Sequence, residues 1–589
     1  MNRNWRADTV HGLFDHCARR WPDRVAVRHG DRAVSYGELA AAADTVAAEL
    51  ASAGVGPGGI VPVLLPRTPE LFAVLLGVLK TGAAYAAMDP RWPHERLSGI
   101  VRRIDPPLLV TDRAGDWPAP VWSPIHDTAG YATQRRVPPV HEVAIDDPCA
   151  VFFTSGSSGV PHGVVCAHRG TVRIFDDWAF APCDSGVVMP QSLAATWDAF
   201  GLDSWGVLLG GGTIILLDGG TLELAQRLRD LVESVGINTV FLPTAVFHMV
   251  VDTDIDAFTG LRKVGTGGER LSARHAGEFL RCHPLIPLHN MYGPVESTIA
   301  ATDHVVTLDD CRAGDVPIGA PLPGTEVHVL DGDRPCAVGE VGEICLAGDG
   351  LAVGYLDDDE LTRRRFVEVD PGDGARRMYR TSDLGYWSDG VVHFVGRADG
   401  QVKIRGHRVE PHEIEVAAEE FDGVGRAVAV PLFDDDGACS DISLFFVAQA
   451  GVAPSEQDVR AWLSQRLPGY LVPGRVHRIE EIPVLEDRKI DRKDLAALAT
   501  RLRAESVDGA APAGTVERRV ADIFSEVLGV ATLPRDVSFF DVGGNSVSVT
   551  RACARLDDEF GVAIPLETVF QHATVEGVAA LLATSGELR

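Results

Sequence analysis

Over the first four hundred positions, short apolar runs alternate with longer amphipathic ones. "AVFF" (150–153), "GTIILL" (212–217) and "NTVFL" (238–242) read as buried strands. Between the last two, "LELAQRLRDLVESVG" (222–236) reads as a helix. A strand–helix–strand order predicts a parallel α/β sheet. After "HNMYGP" (289–294) the pattern changes. "TEVHVL", "GEICLAG" and "GYWSDGVVHFVGR" read as short antiparallel strands with Gly and Asp-Gly turns.

A boundary is expected near Arg397–Gly400. Residues 400–498 pattern as a compact α+β piece. Strands "QVKIRG", "RAVAV" and "SLFFVA" are interleaved with helices at 411–420 and 455–466, and Ser455 with Asp458 resembles a capping box. "SVDGAAPAG" (506–514) reads as a flexible linker. The remainder is helical. In "SVSVTRACARLDDEFG", Val549, Ala552, Leu556 and Phe560 share one face, and short helices at 565–571 and 574–583 complete a small bundle. The expected domains are 1–397, 398–498, a linker at 499–514, and 515–585, with no internal repeat.

Length and charge narrow the function. A chain of 589 residues is too long for one core. A formal charge of −29 argues against nucleic acid, which needs a basic face. No run is long enough to span a bilayer and no charged-then-apolar leader opens the chain, so a cytoplasmic protein with no membrane partner is expected. The cysteines are scattered singly, which predicts reduced thiols rather than a zinc or disulfide framework. Arginine carries nearly all the positive charge; the five lysines are Lys80, Lys263, Lys403, Lys489 and Lys493. Codon bias in a high-GC genome accounts for most of this. A lysine that persists against that bias can mark a place where a compact ammonium is needed.

"TSGSSGVPHG" (154–163) directly follows the first of these strands. Such a loop offers backbone N–H groups and hydroxyls to an anion, and its glycines allow close approach. Alone it is an ordinary connector, and it is not a Walker loop. In combination it is specific. "LKTGAAYAAMDP" (79–90), "WDAFGLDSWGVLLGG" (197–211), "NMYGPVEST" (290–298), "GEICLAGDGLAVGYL" (342–356), "YRTSDLGYW" (379–387), "GRADGQVKIRGHRVEPHEIE" (396–415), "LPGYLVP" (467–473) and "DRKIDRKDL" (487–495) occur in an order and spacing that resemble the adenylation domains of nonribosomal peptide synthetases, within the acyl-adenylate-forming superfamily. "FFDVGGNSVSV" (539–549) resembles the attachment motif of a peptidyl carrier domain.

The resemblance implies an α/β large subdomain, a small mobile α+β subdomain and an all-α four-helix carrier. It implies attack of an amino-acid carboxylate on the α-phosphate of ATP, with Mg2+, and transfer to 4'-phosphopantetheine on Ser546. The loop residues Thr154, Ser155, Gly156, Ser157, Ser158 and Gly159 would hold phosphates; the family's lysine there is His162 here. Lys489 would bridge carboxylate and phosphate, although "DRKIDRK" by itself is an exposed basic patch. Asp383 matches the carboxylate on the ribose diol, Arg397 a second nucleotide contact, Asn290 and Tyr292 the adenine site, and Glu296 the magnesium ligand. Asp399 matches the hinge, and rotation about it would bring Lys403 towards the site.

Asp198 matches the partner of the substrate ammonium, which favours an amino acid over a fatty or aryl acid. The family's pocket positions fall on Ala199, Leu202, Phe241, Gly265, Gly267, Met291, Ile299 and Ala300. All are apolar or glycine, with the glycines expected to open the space. Valine, leucine or isoleucine is the expected substrate and an aromatic amino acid the alternative. A phosphopantetheinyl transferase and a downstream synthetase or tailoring enzyme are the implied partners; many such domains also need a small MbtH-like activator. Two competing readings are an acyl-CoA ligase, opposed by Asp198 and the carrier motif, and an impaired scaffold, opposed by Lys489, Asp383 and Glu296.

Overall fold

The apolar runs become sheet interiors. The computed structural model describes residues 8–584 except 139–140, 157–160, 176–177, 181–183, 373, 405–406, 434–438, 450, 453, 485–489, 505–508, 541, 543, 545, 562–568 and 570–571. It divides into two compact units. One comprises 1–154, 161–247 and 255–400; the other comprises 155–160, 248–254 and 401–589.

In the first unit, "AVFF" lies within the strand Pro148–Thr154, whose middle five residues are all buried. That strand belongs to a seven-stranded sheet. It runs parallel to Ala84–Ala87, beyond which come Ile60–Leu64, Leu109–Thr111 and Val121–Trp122; His162–Ala167 returns antiparallel on its other side, followed by Gly354–Tyr355.

The other two predicted strands do not share a sheet. Thr213–Leu216 runs parallel to Val188–Gln191 and Val25–His29 in a four-stranded sheet, whereas Thr239–Pro243 opens a five-stranded one with Lys263–Gly267, Leu288–Tyr292, Thr302–Val305 and Ala320–Pro321. The intervening helix crosses between sheets. It is α-helical over Gly220–Asp230, then widens over Leu231–Val235, where the Gly236 N–H reaches back to Leu231 O at 3.0 Å. Gly236 has φ +77°, a left-handed stop that glycine adopts without penalty. The expected antiparallel segments form a six-stranded sheet built on Thr325–Asp331, Gly342–Gly348, Arg376–Ser388 and Val391–Arg397.

The second unit contains the hairpin Val402–Ile404 and His407–Val409, a three-stranded sheet (Val424–Phe433, Cys439–Ala448, Arg475–Arg478), and helices Pro411–Glu419, Glu456–Arg466 and Arg492–Ala504. Ser455 caps its helix, its hydroxyl accepting from the Asp458 N–H at 3.0 Å, but the expected box does not close: Asp458 Oδ2 accepts from the Ser455 hydroxyl at 2.6 Å. Helices Gly514–Leu528, Ser546–Phe560 and Val575–Thr584 follow. Val549, Ala552 and Leu556 are fully buried among Phe524, Val575 and Val578, with Phe560 packed at the edge. The expected helix at 565–571 lies almost wholly outside the described residues. Among the described residues no helix is long and apolar enough to cross a membrane.

Candidate functional site

The strand Leu288–Tyr292 sits at the centre of its sheet, and its period of two sorts the predicted residues. Asn290 and Tyr292 point to one face, Met291 to the other. On the first face the Tyr292 hydroxyl donates to Asp383 Oδ2 at 2.5 Å, and Arg397 Nη1 donates to Asp383 Oδ1 at 2.5 Å. Asp383 and Arg397 face each other across an antiparallel pair. Arg397 also grips Asp399, Nε to Oδ1 at 2.9 Å and Nη2 to Oδ2 at 2.8 Å. Burial and the charge of Asp383 push the Tyr292 hydroxyl well above its ordinary pKa, so it stays a donor. Asn290 is buried and donates to Pro317 O at 2.8 Å. Four predicted residues thus converge: Tyr292, Asp383, Arg397 and Asp399. A carboxylate offers about four lone-pair sites, so Asp383 retains acceptor capacity for a diol.

Glu296 is 1% exposed, on the short turn Val295–Ser297. Its Oε1 accepts from the Tyr355 hydroxyl at 2.7 Å. A single oriented carboxylate suits magnesium, which keeps few protein ligands. Among the described residues no three His, Cys, Asp or Glu side chains converge on one point. Magnesium held by Glu296 would therefore complete its shell with phosphate oxygens and water. His162 packs edge-on against Tyr355, ring centroids 5.9 Å apart, with Nδ1 3.7 Å from Asp358 Oδ2. Arg103, which the motifs did not indicate, fixes the end of the loop by donating to Pro161 O at 2.6 Å and Leu356 O at 2.8 Å.

Thr154 ends its strand. Ser155 and Gly156 group with the second unit, where Ser155 Oγ donates to Arg408 O at 2.6 Å and the Gly156 N–H to Glu413 Oε2 at 3.3 Å. Ser157, Ser158, Gly159 and Lys489 lie outside the described residues. Lys403 lies on the strand Val402–Ile404, and Ser546 is the first residue of its helix. Ahead of that helix, Arg475 Nη2 donates to Val542 O at 2.9 Å and Arg460 Nη2 to Phe540 O at 3.3 Å.

Asp198 is 4% exposed. Its Oδ1 accepts from the Ala199 N–H at 2.9 Å and its Oδ2 from the Ile299 N–H at 2.6 Å. The partner loop is strained: Thr298 has φ +47° and Ile299 φ +73°, a region that costs a β-branched residue about 1–3 kcal/mol. Arg173, also missed from sequence, holds this loop in place. Fully buried, it donates to Gly170 O (2.5 Å), Ser297 O (2.9 Å), Ala300 O (2.7 Å) and Thr298 O (3.2 Å). A methyl group at Gly350 would overlap its guanidinium, so that glycine makes room for it. The sequence signal was a single arginine inside the apolar stretch "TVRIF" (171–175).

The pocket positions lie together. In the parallel register Phe241 pairs with Gly265, and Pro243, Gly267 and Met291 align, all on the face away from Asn290. Ala199, Leu202, Phe241, Met291, Ile299 and Ala300 are buried in one continuous core. One expectation needs correcting. Neither glycine leaves open space: the Phe180 ring and Met291 Cε stand directly over Gly265, and a Cβ on Gly267 would lie 2.5 Å from the Met291 carbonyl oxygen.

The buried Tyr292–Asp383–Arg397 group lies on one face of this strand and the apolar positions around Met291 on the other, and a helical module follows in the chain. Comparison with known proteins agrees. Residues 14–356 match the family model "AMP-binding enzyme" and residues 518–582 match "Phosphopantetheine attachment site". The chain is 33% identical over 584 residues to a linear gramicidin synthase polypeptide of Brevibacillus parabrevis and 33% over 583 residues to surfactin synthase subunit 3 of Bacillus subtilis (strain 168), in each case over 97% of its length. It spans only 8% and 45% of those two proteins. Among solved structures it resembles holo-PA1221, an NRPS protein containing adenylation and PCP domains bound to a vinylsulfonamide inhibitor. The TM-score is 0.85 with 29% identity, over 98% of this chain and 97% of that one. A second PA1221 structure matches at 30% identity and TM-score 0.73, over 85% of this chain and 98% of that one. The chain belongs to the AMP-binding enzyme family, as an adenylation–carrier didomain of the nonribosomal peptide synthetases. Such didomains are ATP-using, amino-acid-adenylating ligases that carry a phosphopantetheine arm.

Proposed function

We propose that this didomain activates a hydrophobic α-amino acid, with a branched aliphatic side chain, as its aminoacyl adenylate and passes it as a thioester to phosphopantetheine on Ser546. The carrying observation is Asp198, a buried carboxylate beside otherwise apolar walls. Its negative charge suits a substrate ammonium, and the apolar walls offer a substrate side chain no polar partner. Ile299 and Ala300 supply wall and anchor from one loop. Across the strand, Tyr292, Asp383 and Arg397 would seat the nucleoside, and Asn290 the adenine edge. Glu296 would hold magnesium, which supplies charge neutralisation on the phosphates. Thr154 to Gly159 would cradle those phosphates, and Lys489 would neutralise charge on the reacting oxygens.

For the second half-reaction, Asp399 and Gly400 would act as the hinge and Lys403 would take up a role in thioester formation. A phosphopantetheinyl transferase would prime Ser546, and a synthetase or tailoring enzyme would accept the loaded carrier. ATP–pyrophosphate exchange over a panel of amino acids is the test, run with and without an MbtH-like protein. Valine, leucine or isoleucine should dominate. Exchange with aryl or fatty acids alone would overturn the reading.

A further inference from the structure

Gly265 and Gly267 remove two side chains from the face that carries Met291, and neither leaves open space: Met291 backbone fills that above Gly267, and side chains fill that above Gly265. A methyl group on Gly265 would lie 2.7 Å from both Met291 Cε and Phe180 Cε2. Phe180 is fully buried. Its ring meets His289 edge-on, centroids 5.4 Å apart, and lies 5.5 Å from Trp178. Both neighbours are fixed by one carboxylate: Trp178 Nε1 and His289 Nδ1 each stand 2.8 Å from Asp303 Oδ2. Asp303 in turn pairs with Met291 across the sheet. The backbone is held too. Lys263, two positions before Gly265, donates from Nζ to Ala179 O at 2.8 Å and to Phe180 O at 3.5 Å.

We propose that Phe180 closes the far end of the side-chain pocket and sets the largest side chain the enzyme activates. This rests on reading the surroundings of Asp198 as the amino-acid site. Met291 beside the ring is unbranched and adapts to its neighbours. Phe180 cannot swing aside without disturbing the Trp178–Asp303–His289 cluster, and an unpaired buried carboxylate is costly. The rigid ring, not the methionine, is therefore the limit. A branched aliphatic chain packs against it; an aromatic substrate competes with it for the same volume.

The experiment is ATP–pyrophosphate exchange by the full chain with valine, leucine, isoleucine, phenylalanine and tyrosine. Wild type is compared with Phe180→Leu and Phe180→Ala, with folding checked by circular dichroism and thermal melting. The phenylalanine-to-leucine ratio of kcat/KM should rise about ten-fold or more in Phe180→Ala, and less in Phe180→Leu, because a methylene-sized change in an apolar pocket is worth roughly ten-fold or more. Gly265→Ala presses a methyl group against the same ring and should move the ratio the other way. It carries the test if neither Phe180 variant folds. A ratio within about two-fold of wild type in every folded variant overturns the proposal and leaves the hydrophobic-substrate reading standing. A wild type that activates only charged amino acids overturns that reading, and this proposal with it.

Discussion

At the scale of single residues, Asp198 has two jobs that substitution can separate. It would supply a counter-charge, and it ties the strained Ile299 N–H to the segment around Ala199. Asp198→Asn keeps an acceptor and loses the charge. Its exchange kcat/KM should fall at least about 100-fold, near the 3–5 kcal/mol of a broken buried pair, while its melting temperature moves little. Asp198→Ala should lose both activity and stability. An asparagine variant with wild-type exchange would remove the ammonium role. Residues like Asp198 could be nominated from sequence because motif neighbours surround them. Arg173 and Phe180 had no such signal: the partners of Arg173 lie up to 152 positions away, and nothing local to "TVRIF" specifies them. The scarcity of lysine was a partial guide. Lys80, only 7% exposed, lies between Asp15 at 2.6 Å and Asp44 at 2.7 Å, and Lys263 anchors the Phe180 backbone.

At the scale of elements, strands were readable because a buried run needs no partner to announce itself. Their assignment to sheets was not. A parallel crossover looks the same in sequence whether the helix returns to its own sheet or passes to the next, which is why Thr213–Leu216 and Thr239–Pro243 part company. A boundary is expected from sequence near Arg397–Gly400, and the compact units divide between Gly400 and Gln401. Gly400 has φ +75° with nothing within 4 Å of where a Cβ would sit. Gly400→Val therefore meets no clash, only a backbone penalty of about 1–2 kcal/mol. If this residue absorbs a rotation between half-reactions, thioester formation in single-turnover assays should slow several-fold more than pyrophosphate exchange. Equal slowing of both would argue for an ordinary connection.

At the scale of the whole molecule, the two activities should separate by domain. Ser546→Ala should abolish covalent loading, read as the missing pantetheine adduct by intact mass, and leave pyrophosphate exchange within about two-fold, because the adenylation core does not include it. Stability should carry a pH signature from the other end of the chain. His11, on the helix Val10–Arg20, and His168 meet edge-on at 5.5 Å, and the Val10 N–H donates to His168 Nδ1 at 3.2 Å. Lys80, Asp15 and Asp44 are the charged groups nearby. Burial, then the charge of Lys80, lowers His11 to about 4; burial, then His11, lowers His168 to about 3. Folded pKa values below the unfolded 6.5 mean the unfolded chain binds protons first, so stability is full above about pH 7 and falls as pH drops from 6.5 towards 4. Each ring should cost about 2 kcal/mol between pH 7.5 and pH 5. Urea unfolding at both values measures this, and His168→Asn, which keeps an acceptor for Val10, should flatten the slope. An unchanged slope would exclude this pair as its source.

The loop 296–300 has a consequence for how such enzymes exchange specificities. It holds Glu296, the N–H that steadies Asp198, and the two buried positions Ile299 and Ala300 proposed as pocket wall, and its carbonyls are held by Arg173 in the space left by Gly350. Residues 296–300 are better regarded as a single heritable cassette with distant fixings, so a chimera that imports the loop without Arg173 and Gly350 imports its strain without its support.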